Sequence, residues 1–221
     1  KDDSLKMDNE FLPNGKKKWN STRWNQKTVN ITKVIAGNDF PEIIGLCEIE
    51  NKNVLEKIKN HYILRNNEYS IVHFESPDLR GIDCAILYQS KKLDLLAMKA
   101  NKIDLSGRKT RDIVSATFAY LKDTFSVFVN HWPSRYGGRK KSNSKRQIAS
   151  ETLLYLMDST SKHHSNYKII AMGDFNDEPG DSSLITLEKY SNRSKELKGT
   201  LKYKGRWQIF DQFICSKNFN Y

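Results

Sequence analysis

The sequence predicts an α/β protein in which sheets are covered by helices, and three observations carry that prediction. Short β-branched and aromatic runs, "SIVHFES", "IDCAILY", "DIVSATFAY" and "FSVFVNHW", are separated by turn residues, as strands are. Around them lie stretches whose apolar residues recur at helical spacing, such as Ile31, Val34 and Ile35, or Ile148, Ala149, Leu153, Leu156 and Met157. Several apolar runs also stop abruptly at polar residues, and in α/β sheets ligands bind where strands end.

Taken in order, residues 1–23 form a polar surface segment, with a turn at Pro13-Asn14-Gly15 and a basic run Lys16-Lys17-Lys18. A helix carrying Ile31, Val34 and Ile35 stops at Gly37, and Pro41 opens the next element. "EIIGLCEIEN" reads as a buried strand, after which Asn51 caps a helix that buries Val54, Leu55 and Ile58. Val114, Ala116, Phe118 and Tyr120 alternate, as do Phe125, Val127 and Val129, so a hairpin turns at Lys122-Asp123-Thr124. A helix over 144–158, the strand "KIIAM", a short helix over 183–190 and a last strand "WQIFDQFICS" complete the reading. No repeat or linker divides the chain, and 221 residues suffice for one core, so a single domain spans 1–221.

With 37 Lys and Arg against 26 Asp and Glu, the net charge is +11, which favours encounter with nucleic acid or another phosphate ester; coding bias towards Lys is the alternative. No apolar run approaches the roughly 18 residues of a membrane span, so stable membrane insertion is not expected. A soluble protein follows, cytoplasmic or, since the chain begins at Lys1, exported after removal of a leader. Cys47, Cys84 and Cys215 sit inside apolar runs without C-x-x-C spacing and read as free, buried residues.

Chemistry is expected where carboxylates or imidazole follow apolar runs: Glu48, His131, Asp174 with Asn176, and Asp211 inside the last strand. Burying an unpaired charge costs several kcal/mol, so such residues are paired, metal-bound or at a site mouth. Each has a plainer reading: Glu48 can cap the helix near Asn51, His131 can be a satisfied core histidine, and Asp174 can form a turn. Carboxylates and an amide are hard ligands suited to Mg²⁺, Mn²⁺ or Ca²⁺, whereas zinc lacks its usual His and Cys spacing. Serine-hydrolase, P-loop and dinucleotide signatures are absent. Residues 135–146 hold six basic side chains and no acid around Gly137-Gly138, which reads as a mobile phosphate-gripping loop or a solvated one. Arg135, Arg111 and Arg80 are the candidate phosphate ligands, with ordinary surface pairing the alternative for the last two.

"IIGLCEIEN", "RGIDCAILY", "TRDI", "NHWPSR", "MGDFND" and "WQIFDQFICS", in this order, resemble the endonuclease/exonuclease/phosphatase superfamily, which includes deoxyribonuclease I, apurinic/apyrimidinic endonucleases, sphingomyelinases and inositol polyphosphate 5-phosphatases. The "NHWPSR…GG" form resembles a bacterial branch. The resemblance implies a four-layer α/β sandwich, two packed sheets with helices outside, and a divalent-metal-dependent phosphoesterase, a nuclease being favoured. It implies that Glu48 ligates the cation, Asp174 orients or deprotonates the attacking water, and Asn176 steadies the phosphate. His131 would act at the phosphate and Asp211 would orient a second histidine. The family's first strand and its closing Ser-Asp-His stretch have no counterpart in 1–221, so a longer natural polypeptide is expected, with this piece nearly inactive alone. The alternatives are a phosphomonoesterase, a sphingomyelinase-like lipid phosphodiesterase and a non-catalytic nucleic-acid-binding fragment.

Overall fold

The computed structural model describes residues 6–219. A 3-10 turn (Lys6–Phe11) precedes α1 (Ser21–Gly37), β1 (Ile43–Ile49), α2 (Lys52–Lys59), β2 (Tyr69–His73) and β3 (Asp83–Gln89). Then follow β4 (Asp94–Asn101), β5 (Ile113–Tyr120), β6 (Asp123–His131), α3 (Arg139–His163) and β7 (Lys168–Asp174). The chain continues through α4 (Ser182–Ile185), β8 (Ser191–Asn192), β9 (Leu201–Tyr203), β10 (Arg206–Gln208) and β11 (Asp211–Cys215). Side-chain caps begin the first two helices as their sequences ask: Asn20 accepts from the Arg23 N–H at 3.0 Å, and Asn51 from the Val54 N–H at 3.2 Å.

These elements build the four layers. A six-stranded sheet has the order β4-β5-β6-β7-β11-β8, a three-stranded sheet the order β1-β3-β2, and β9 and β10 form a separate hairpin. Between the sheets pack Val72, Cys84, Ile86, Val114, Phe118, Val127 and Val129. Leu55 and Ile58 of α2 and Ile35 of α1 cover the outer face of the small sheet, against Ala85 and Leu87. On the opposite outside, Ala149, Leu153 and Met157 of α3 cover Phe128, Ile169 and Ala171. Val127 and Val129 thus face one way and Phe128 the other, so β6 is buried on both sides and its run is continuously apolar. Gly45 lets the sheets approach: a Cβ there would lie 2.8 Å from Met172 Sδ. Gly173 has φ +126°, and a Cβ would stand 2.1 Å from the Asn130 carbonyl oxygen, so β7 can lie beside β6 at this level only with glycine.

Several boundaries differ from the sequence reading. α3 begins at Arg139, not 144, because Gly138 turns the chain without a side-chain cap and the first helical residues are all polar. The helix near 183 is shorter, Ser182–Ile185. "WQIFDQFICS" is two strands, since Thr200 Oγ1 accepts from the Phe210 and Asp211 N–H groups at 3.0 Å each and breaks the run there. Asp211 consequently opens β11 and is exposed, so it is not a carboxylate buried inside a strand. The edge strand β4 escapes the reading because most of its side chains are exposed. Of the free cysteines, Cys84 and Cys215 are buried as expected, but Cys47 is half-buried.

Candidate active site

The strand register assembles the candidate residues. β6 and β7 run parallel with His131 beside Asp174, and β11 runs antiparallel to β7 with Asp211 beside Asp174. Three polar residues from three neighbouring strands therefore stand in one row at the sheet's end. Glu48 arrives from the other sheet. The β1–β3 register shifts between Leu46 and Ile49, so Cys47 and Glu48 together oppose Cys84, and Glu48 takes φ +60°. A bulge of this kind re-aims a side chain out of the pleat, and Glu48 is exposed.

Charge decides the state of these groups. Burial pushes Asp174 up to about 6, and the carboxylates of Asp211 and Glu48 add to the rise, against the Asn176 N–H and Arg111, which lower it. Asp211 is the register neighbour of Asp174, and Glu48 is near enough for its charge to be felt there. Among the described residues neither Glu48 nor Asp211 pairs its carboxylate with Lys or Arg. The three acids do not bring one oxygen each within 4.8 Å of one another, but carboxylate oxygens without a cationic partner are the donor type that a hard divalent cation takes, so their chemistry fits the metal that the sequence implies. Burial also pushes His131 down to about 3, helped by Arg111 and Arg80, so its imidazole is neutral. His131 Nε2 lies 3.7 Å from Asp174 Oδ2, beyond hydrogen-bond length, and its Nδ1 is buried without a partner.

Behind the row, the turn after β7 is held rigidly. Asn176 takes φ +52°, its N–H donates to Asp174 Oδ1 at 2.8 Å, and its side-chain amide donates to the Trp132 carbonyl at 2.9 Å. Asn176 is buried, with one amide N–H committed to that carbonyl. Trp132, fully buried, packs its ring 4.6 Å from Phe175.

The arginines are placed differently from the sequence reading. Arg135 contacts Asp177 at 3.0 Å and Asp181 at 2.6 Å, and lies 4.5 Å from the Phe210 ring. Arg146, fully buried, pairs with the equally buried Asp177 at 2.6 Å, and Arg139 pairs with Asp181. Arg135, Arg139 and Arg146 thus clamp the turn after β7 to the start of α3, while Lys140 and Lys141 are exposed, so the stretch divides between a structural half and a solvated half. Arg111 is buried, donating to Asp78 at 3.1 Å and to the Trp132 carbonyl at 2.6 Å, while Arg80 pairs with Asp78 at 3.3 Å and stays 44% exposed. Asp177, Asp181 and Asp78 are the residues that sequence reasoning missed. The signal was the acid-rich "DFNDEPGD" in the same chain as an acid-free basic stretch. A separate cavity of about 260 Å³, lined by Phe11, Trp19, Trp24 and Glu50, contains none of the row.

Two outcomes follow from this geometry. Arg146→Ala removes the fully buried partner of Asp177, leaving it Arg135 and Ser183, and lowers stability by up to about 3–5 kcal/mol, measured by urea denaturation; a loss under about 1 kcal/mol would show the pair to be dispensable. Asp174 ionises more readily in the unfolded chain, at about 3.8, than in the folded one, at about 6, so its contribution to stability is lost as pH rises between them. In chelator, Asp174→Asn therefore gains about 1–3 kcal/mol at pH 8, and the gain shrinks towards pH 4. Equal stability of the two proteins at pH 8 would refute this.

The model of the endonuclease/exonuclease/phosphatase family matches residues 1–220. None of the curated proteins matches. Among solved structures, an endonuclease/exonuclease/phosphatase family protein from Bacteroides thetaiotaomicron aligns with TM-score 0.72 at 17% identity, covering 92% of this chain and 79% of that one. A mannosyl-6-phosphatase from the same organism aligns with TM-score 0.68 at 16% identity, over 88% of this chain and 78% of that one. TDP2 of D. rerio, complexed with a single-strand DNA product, aligns with TM-score 0.65 at 13% identity, over 91% and 82%. With the family model matched along nearly its whole length and the four-layer fold to go with it, this chain belongs to the endonuclease/exonuclease/phosphatase family.

Proposed function

We propose that the protein is a divalent-metal-dependent phosphoesterase that cleaves a phosphodiester, nucleic acid being the favoured substrate, by in-line attack of water. The observation that carries this reading is the row His131, Asp174, Asp211 on adjacent strands with Glu48 facing it from the other sheet. Glu48 would hold Mg²⁺, or Mn²⁺ or Ca²⁺, and the cation would supply charge stabilisation of the phosphoryl group. Asp174 orients the water and takes its proton; its raised affinity for a proton suits that task near neutral pH. Asn176 retains a second amide N–H and its carbonyl oxygen for the phosphate. His131, neutral, binds phosphate as a hydrogen-bond donor without adding charge.

The net charge of +11 supports a polyanionic substrate, as does the likeness to a protein crystallised with a DNA product. Arg80, the most exposed of the three candidate arginines, is the one with surface left to reach substrate phosphate while it pairs with Asp78; Arg111 and Arg135 act by holding the carboxylates and carbonyls behind the row. The "NHWPSR…GG" form supports placing the chain in the bacterial branch, and a single domain over 1–221 agrees with the fold. A phosphomonoesterase is the second reading, supported by the likeness to a mannosyl-6-phosphatase. A non-catalytic nucleic-acid-binding role is the third, and it draws on Asp211. None of the five histidines meets that residue: His61 contacts Thr32, His73 contacts Asp83, His163 bonds the Ser159 carbonyl, His164 stacks on Tyr167, and His131 stands beside Asp174.

The test is a Mg²⁺- or Mn²⁺-dependent assay of the full natural reading frame on bis(p-nitrophenyl) phosphate, a sugar phosphate and single- and double-stranded DNA. Diester cleavage that falls about 10²–10⁴-fold in Asp174→Ala supports the proposal. Hydrolysis of the monoester alone transfers it to the second reading, and DNA binding without turnover in any metal to the third.

A further inference from the structure

A second group of metal-ligating side chains stands at the same end of the molecule but on other strands. β2 ends in His73 and β3 begins with Asp83, and their side chains are 4% and 2% exposed. His73 Nε2 lies 3.0 Å from Asp83 Oδ2, and one ligand atom each of His73, Glu75 and Asp83 falls within 4.8 Å of the others. Two ligands about 2.1 Å from a tetrahedral ion stand about 3.4 Å apart, so this hydrogen-bonded pair reaches ligand spacing by opening a few tenths of an ångström.

The charge at this place is unbalanced. Asp83 is contacted by the His73 imidazole and by the Ser76 N–H at 2.8 Å, and no Lys or Arg reaches it among the described residues. Asp112 is 6% exposed, and its carboxylate makes no hydrogen bond or ion pair among the described residues. Burial holds Asp112 above the usual carboxylate range, Lys102 opposes this, and the neighbouring Asp83 reinforces it. The buried Asp83 and the exposed Glu75 thus gather around one imidazole, with the charge of a second buried acid, Asp112, felt at Asp83. The group is separate from Glu48. Tyr69, Ile71, Ala85 and Leu87, which share a strand face with His73 and Asp83, pack towards the helices, while Cys84, opposite the Glu48 bulge, packs between the sheets.

We propose that His73 Nε2, Glu75 and Asp83 form a second divalent-cation site, for an ion of the Zn²⁺ or Mn²⁺ class, that fastens the base of the loop 74–82. An imidazole nitrogen selects such borderline ions over Mg²⁺, whereas the all-oxygen set around Glu48 does not. The ion replaces the hydrogen bond between His73 and Asp83 and neutralises the acids behind it. The loop it closes carries Asp78, which holds Arg111 at 3.1 Å, and Arg111 in turn acts on His131. The site is therefore a positioning device for the proposed phosphate-binding side, and its existence does not depend on which ester is cleaved.

Calorimetric titration of Zn²⁺ into the metal-stripped full chain, in excess Mg²⁺, tests it. One equivalent is expected to bind, Glu75→Gln and His73→Gln each weakening it at least about 10-fold, with Glu48→Gln leaving it unchanged. Glu75 is exposed, so its variant folds whatever becomes of His73→Gln. No binding by the folded wild type, binding untouched by Glu75→Gln, or binding lost in Glu48→Gln would each overturn the proposal.

Discussion

The buried ion pair between Asp177 and Arg146 is the constraint on which the rest of the site depends. Both side chains are wholly removed from water, and Asp177 also accepts from Ser183 Oγ at 2.7 Å and from Arg135. A charge so placed is tolerable only with its partners in position, so the turn after β7 cannot move without α3 and the segment 133–135 moving with it. The same turn carries Asp174 and Asn176. Gly173 adds the steric half of the constraint, because it alone fits against the Asn130 carbonyl where β6 and β7 run together. Stability concentrated behind the strand ends thus supports a row of side chains that is itself electrostatically costly.

That cost is what the proposed site would recover on binding a charged ligand. Glu48 and Asp211 raise the proton affinity of Asp174 where an optimised core would have paired or removed them. The positive charge of the chain is not spread freely around the row: Arg111, Arg135 and Arg146 are each committed to a carboxylate, which fixes geometry at the expense of available cationic groups. A cation bound among the acids would relieve their repulsion and reverse the balance of local charge.

Much of this was legible in the sequence. β6 and β7 announce themselves as unbroken apolar runs because both of their faces are buried, and the polar residues at their ends stand out for the same reason. Asp174, His131 and Glu48 thus stand out as candidates by contrast with their neighbours. The bulge that turns Glu48 outward was not, since nothing in "LCEIE" signals an extra residue; the shift comes from pairing with β3. Arg135 and Arg146 lie in a stretch whose composition reads as solvated, and their carboxylate partners are 31 to 46 residues away, a separation that local pattern cannot span. Asp211 was misplaced because the break at Phe210 is made by a hydroxyl from Thr200, again a tertiary partner.

The central claim is that Glu48 and the Asp174 row form one cation-binding centre held by the turn behind it. Crystals soaked in Mn²⁺ and measured at its absorption edge test this most directly. An anomalous peak about 2.0–2.6 Å from a Glu48 carboxylate oxygen, on the side facing Asp174, is the predicted result. A soak that fills other sites and leaves no peak beside Glu48 would contradict it.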